Sequence, residues 1–105
     1  MIRVKFLVSN RQLTGFEIRG HAMFAQSGED VVCAAVSSAA YMAANTVTDV
    51  IRATANAQAD DGRMLLTLQS PDEKTETVLR GLELHLTELS KQYPENIKII
   101  YGGVK

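Results

Sequence analysis

Asp30-Val31-Val32-Cys33-Ala34-Ala35-Val36-Ser37 is the stretch where the hydrophobic pattern of this chain changes period. Before it, apolar residues alternate with polar ones. From Asp30 onward, Val32, Val36, Ala39, Ala40, Ala43, Val47, Val50 and Ile51 recur at steps of three and four. That spacing predicts one long amphipathic helix from Asp30 to about residue 57. Ala34, Ala35, Ser37, Ser38, Ala39, Ala40, Ala43 and Ala44 keep it thin, so neighbouring backbone can approach closely. With Asp30 as N-cap, Cys33 falls in the first helical turn, where backbone N–H groups lack intrahelical partners.

Working outward toward the N-terminus, Ile2, Val4, Phe6 and Val8 alternate with Arg3 and Lys5, the signature of a half-buried strand. Ser9-Asn10-Arg11-Gln12 is a polar turn, and a second strand over about 13–20 carries Phe16 and Ile18 on one face. The two form an antiparallel hairpin. Residues 21–29 have no period and read as a loop. Toward the C-terminus, Asp60-Asp61-Gly62 is a turn, after which Met64, Leu66 and Leu68 alternate as a third strand. Ser70-Pro71-Asp72-Glu73 predicts a helix start with Ser70 as cap, Pro71 at the first helical position and Glu73 closing a capping box. Val78, Leu79, Leu82, Leu86 and Leu89 stripe that helix, and Ile97, Ile99 and Tyr101 alternate as a last strand. The expected order is β-β-α-β-α-β, an α+β domain with a single sheet and two helices packed on one face.

The 105 residues make one domain, 1–105, with an ordinary apolar share of 46% and charged share of 22%. A net charge of −1 argues against direct nucleic-acid binding and against an anionic-membrane binder, and no basic run supplies a phosphate stripe. No apolar segment approaches the roughly 20 residues that span a bilayer. The alternating Met1-Ile2-Arg3-Val4-Lys5 is not a signal peptide, so the cytoplasm is the expected location. A single cysteine excludes an internal disulfide and any multi-cysteine metal site, and no metal-ligand spacing surrounds the two histidines.

Cys33 and His21 are the residues that suggest chemistry. A thiolate is the reactive form of cysteine, and both a helix N-terminus and a nearby imidazolium favour it. His21 lies twelve residues before Cys33, and the eight residues between it and Asp30 are enough to bring the ring back beside the helix start. A nucleophile beside a base is the working pair of covalent catalysis. The plainer readings are a lone cysteine used as a small core hydrophobe and a solvated loop histidine. Asp30 has two available roles, helix cap or carboxylate orienting His21. Ser37, one turn after Cys33, can bond back to the Cys33 carbonyl or contact a substrate backbone. Gly20, Ala22 and Gly28 belong to the connecting loop, in which glycine permits close approach and movement, and a loop over 22–29 would be expected to close over bound substrate. His85, between Leu84 and Leu86 and off the apolar stripe, reads as a surface residue.

Gly20-His21-Ala22, Gly28, Asp30 and Val32-Cys33-Ala34-Ala35-Val36-Ser37 together resemble the signature of the bacterial ribosomal-processing cysteine protease family, Prp. Length and element order are similar along the whole chain. The resemblance implies Cys33 as nucleophile, His21 as base, Asp30 at the acidic position and Ser37 closing the motif. It further implies that the substrate is a short N-terminal extension of a large-subunit ribosomal protein (number twenty-seven), cut after a pair of aromatic residues. The family often has a glycine after Gly-His-Ala, where this chain has Met23. Such an enzyme needs no cofactor. Two other functions fit the residues: a non-enzymatic ribosome-associated interaction module, and a thiol redox sensor, against which the missing resolving cysteine counts. The Ala-rich and Leu-rich helices would also suit a homodimer.

Overall fold

Residues 1–20 and 27–103 are described by the computed structural model, with backbone only for 27–30. The alternation of the first twenty residues gives β1 (Ile2–Ser9) and β2 (Gln12–Arg19), paired antiparallel with Phe6 opposite Phe16. Asn10 and Arg11, with φ of 52° and 64°, form the two-residue left-handed turn whose twist suits a hairpin. The register slips between Leu7 and Val8, and there the Thr14 hydroxyl donates to the Leu7 carbonyl at 3.2 Å. Helix α1 runs Ser27–Asn45 and passes into a π-helical turn, Thr46–Val50. Then come β3 (Ala55–Asp60), β4 (Arg63–Leu68), α2 (Glu73–Gln92) and β5 (Ile97–Gly103).

These strands form one five-stranded sheet in the order β3-β4-β2-β1-β5, antiparallel except for the parallel pair β1–β5. The α+β class, the single sheet and the two helices on one face are as the sequence predicts. Ile2, Val4 and Phe6 of β1, Phe16 and Ile18 of β2 and Leu66 of β4 share one buried cluster with Val32, Val36, Ala40 and Val47 of the first helical segment and Leu79, Leu82 and Leu86 of α2. Each large side chain so buried contributes about 1.5–3 kcal/mol, enough to set both helices on that face.

Three local expectations change. The helix does not reach residue 57, because Arg52 turns left-handed (φ 62°) and Ala53 N–H bonds back to the Val47 carbonyl at 3.0 Å, closing the helix end. Residues 55–60 become a strand, so β3 and β4 form a hairpin where one strand was expected. The cap of α2 is Asp72, not Ser70: its carboxylate accepts from Thr75 N–H at 3.0 Å while the Thr75 hydroxyl accepts from Asp72 N–H at 2.9 Å. Pro71 therefore lies before the cap, and Thr75, not Glu73, completes the box.

The stretch Val31–Val50 is also longer and more apolar than expected. By length and composition alone it could cross a membrane. Here its Val32, Val36, Ala40, Ala43 and Val47 pack into the core instead.

Candidate active site

Helix α1 begins at Ser27, four residues earlier than the start at Val31 that a cap at Asp30 would require. Asp30 is thus inside the helix, and Cys33 is its seventh residue, beyond the first turn. Acidic residue types such as Glu29 and Asp30 are favoured near a helix N-terminus, which is consistent with the earlier start. The consequence for chemistry is direct. The unpaired N–H groups at the helix start do not include that of Cys33, so they are not the activating and oxyanion-holding donors that the cap reading required.

Cys33 is 5% exposed and packs in the core cluster with Val32 and Val36. Burial of this degree suits a small core hydrophobe and equally a sulfur kept from bulk water until substrate arrives. Gly28 is helical rather than part of a loop. His21 and the side chain of Asp30 lie outside the described residues, as do residues 22–26 of the closing loop expected over 22–29, while its last three residues are helical instead. What is fixed is the point from which His21 departs. Gly20 has φ +83°, and a Cβ there would stand 2.1 Å from the Met1 carbonyl oxygen, so only glycine lets the chain leave β2 pressed against the N-terminal strand.

Ser37 is half-buried, and among the described residues its hydroxyl makes no hydrogen bond, so the back-bond to the Cys33 carbonyl is not formed. It faces a cleft of about 280 Å³ between α1 and the β3–β4 hairpin, lined also by Ile18, Tyr41, Ala59, Arg63 and Met64, with Asp60 and Asp61 at the turn. Tyr41, Ala59 and Met64 continue into a second hollow of about 120 Å³ beside Asn45, Thr48 and Ala57. Cys33, Ser37 and Tyr41 are spaced by four, which places them along one side of the helix. The sequence marks Asp60-Asp61-Gly62 as a turn and Met64 as a strand residue, but links neither of them, nor Tyr41 and Ala59, to a cleft. The four-residue step from Ser37 to Tyr41 was the available signal; the hairpin residues offered none without β3.

Arg63 borders the cleft with its charge already engaged. Its Nε donates to Glu17 Oε2 at 2.7 Å, and Arg19 lies 3.0 Å from the same oxygen. Partial burial pushes the Glu17 carboxyl up, but the bonds from Arg63 and Arg19 outweigh it and the net shift is downward. Asp60 and Asp61 have no ion-pair partner among the described residues. His85 is exposed on α2, as expected.

The chain is 35% identical over 95 residues to the ribosomal processing cysteine protease Prp of Mycoplasma pneumoniae, covering 90% of each chain. A crystal structure of a Streptococcus mutans protein superposes with a TM-score of 0.86 at 28% identity, over 99% of this chain and 96% of that one. The fold also matches the S. aureus ribosomal processing protease Prp in complex with a substrate peptide, with a TM-score of 0.88, 23% identity, and coverage of 97% and 100%. The family profile described as cysteine protease Prp matches residues 1–98, and the chain therefore belongs to the ribosomal processing cysteine protease Prp family.

Proposed function

We propose that Cys33 is the nucleophile and His21 the general base of an endopeptidase that removes the N-terminal extension of a large-subunit ribosomal protein (number twenty-seven). One observation carries this reading: a member of a cysteine protease family must supply a cysteine, and this chain has only Cys33. His21 takes the thiol proton as Sγ attacks the scissile carbonyl carbon. The tetrahedral intermediate collapses, His21 returns the proton to the departing amine, and a thioester remains that water hydrolyses. Asp30 orients the imidazole, since its position inside the helix removes the capping role. The acyl-enzyme route needs no cofactor.

The substrate lies in the cleft beside Ser37 and Tyr41, which takes its side chains. The open edge of β3 runs along this cleft. Gln69 N–H bonds to the Thr54 carbonyl at 3.0 Å, so in the β3–β4 register Asn56, Gln58 and Asp60 direct their backbone groups to β4, and those of Ala55, Ala57 and Ala59 face outward. An extended peptide can pair there while its side chains enter the cleft. The enzyme works in the cytoplasm as a homodimer. Support for the dimer is the apolar groove of about 700 Å³ between α1 and α2, lined by Ala35, Ala39, Gly81 and the exposed Met42.

Incubating the extended ribosomal protein with wild type, Cys33→Ala and His21→Ala tests the assignment. Both variants are expected to lose cleavage by a factor of about 10³ or more while their circular dichroism is unchanged, because nucleophile and base act as a unit. Full turnover by either variant removes that residue from the mechanism, and an uncut substrate with wild type removes the substrate assignment.

A further inference from the structure

The sheet face turned away from the helices carries a charge pattern invisible in the net charge of −1. Register places Lys98 beside Arg3, Arg3 beside Arg19, and Arg19 beside Arg63, so four cations from β5, β1, β2 and β4 stand in one row. Lys5 stands on the same face two residues from Arg3. Side chains alternate between faces along a strand. Ile2, Val4 and Phe6 point into the core, so these five cations point out. Only two carboxylates share the face: Glu17, opposite Lys5, and Asp60, opposite Arg63 at the end of the row. Most of the remaining acidic residues lie on or beside α2 and in the turns.

Like charges placed directly opposite each other across strands are destabilising, and the row contains three such neighbours in succession. Glu17 relieves the Arg19–Arg63 neighbours by accepting from both. Arg3 and Lys98 are exposed, and neither they nor Lys5 has an ion-pair partner among the described residues. A face selected only for solvation would interleave the signs.

We propose that this open sheet face binds the phosphate backbone of RNA. The row crosses three interstrand steps, about 14 Å, so its long side chains reach several successive phosphates rather than one. The face has no aromatic side chain among Arg3, Lys5, Leu7, Glu17, Arg19, Arg63, Leu65, Lys98 and Ile100 on which a base could stack, so recognition is of backbone charge and independent of sequence. The cleft and Cys33 lie on the helix side of the sheet, so an RNA-bound molecule keeps its peptide site open. A processing enzyme with this face would be held near its substrate wherever that substrate meets RNA.

Anisotropy of a labelled RNA hairpin of arbitrary sequence, titrated with the full chain over a range of salt, tests this. Wild type is expected to bind at low salt, with log affinity falling against log salt by about 0.7–0.9 per phosphate neutralised. The pair Arg3→Glu and Lys98→Glu should weaken binding at least about tenfold and lower that slope by about two. The pair Lys74→Glu and Lys91→Glu, on α2 with the same change in total charge, should bind like wild type. Arg3→Gln with Lys98→Gln serves if the reversed charges disturb folding. Peptide cleavage should be the same in all of these. Absence of wild-type binding at low salt overturns the proposal, as does equal weakening by the α2 pair. Equal binding to polyglutamate or to anionic phosphatidylserine vesicles overturns RNA as the partner.

Discussion

The two helices lie side by side on the same sheet and are built from opposite materials. From Val31 to Thr48 the first has no charged residue, and it is rich in alanine, serine and valine. The second carries a capping box at Asp72 and Thr75, and its Arg80 bonds Glu76 at 3.0 Å, Glu83 at 3.1 Å and the Arg11 carbonyl at 2.9 Å. Glu76 in turn accepts from Leu13 N–H at 2.8 Å. Among the described residues, the helices' ion pairs and long-range side-chain hydrogen bonds are all on α2, and α1 is held by its apolar face. What α1 has instead is thinness, a π-helical turn after its end and a buried Cys33 one turn before Ser37, which lines the cleft. The contrast gives α2 the polar anchoring of the scaffold, whereas α1 joins it through an apolar face and carries Cys33.

If that division holds, damage to α2 should cost stability and leave turnover per folded molecule unchanged. The largest effect is expected at Leu86, which is fully buried. Leu86→Ala should lose about 3 kcal/mol, the middle of the range for such truncations, and lower Tm by well over 10 °C in a domain of this size. Chemical denaturation and peptide cleavage on the same sample check both halves. A stable but inactive Leu86→Ala would break the division.

A smaller effect is expected at the cap. Asp72→Ala removes the acceptor for Thr75 N–H and should cost about 1 kcal/mol, whereas Asp72→Asn should cost only a few tenths. Ser70→Ala should be neutral, although the sequence pointed to Ser70. Urea unfolding of the three variants decides between the caps, and a loss at Ser70 equal to that at Asp72 would contradict the observed capping box.

That misplacement belongs to a pattern. The hairpin β1–β2, the stripe of α2 and strand β5 were legible because Ile, Val, Phe and Leu mark faces strongly and at a clear period. The segment Ala53-Thr54-Ala55-Asn56-Ala57-Gln58-Ala59-Asp60 also alternates, but its apolar member is alanine, a strong helix former that weakly marks a face. Local propensity favoured extending the helix, and pairing with β4 overrode it. The proposed nucleophile was visible as the only cysteine, and the placement of Ser37 one turn on followed from helical spacing. The electrostatic setting of Cys33 was not visible, because it depended on where α1 starts, and Asp30 offers a capping side chain that turns out to lie inside the helix. The cleft required β3, so it was lost with that strand. Similarly, the basic row exists only through cross-strand register; in sequence its members are separated by up to 95 positions, from Arg3 to Lys98.

The smallest expected effect concerns how α2 holds the far edge of the sheet. The Tyr101 hydroxyl donates to Glu83 Oε2 at 2.6 Å, tying β5 to the same glutamate that Arg80 grips. The bond to Glu83 holds the phenol proton most strongly; burial and the Glu83 charge add to it while Arg80 opposes, and the pKa rises above its ordinary 10.0. A raised pKa in the folded state means that the contribution to stability is complete below pH 10 and is lost as pH climbs through the folded value. Tyr101 is 55% exposed, so the contribution is that of a solvent-accessible hydrogen bond, a few tenths to about 1 kcal/mol. Tyr101→Phe should therefore be slightly less stable than wild type at pH 7, and the gap should close above pH 10. Turnover at pH 7 should not change, since the bond lies on the scaffold helix. A stability difference that persists undiminished to pH 11 would mean that the hydroxyl acts through packing rather than through its proton. A drop in turnover would mean that α2 reaches the active site after all.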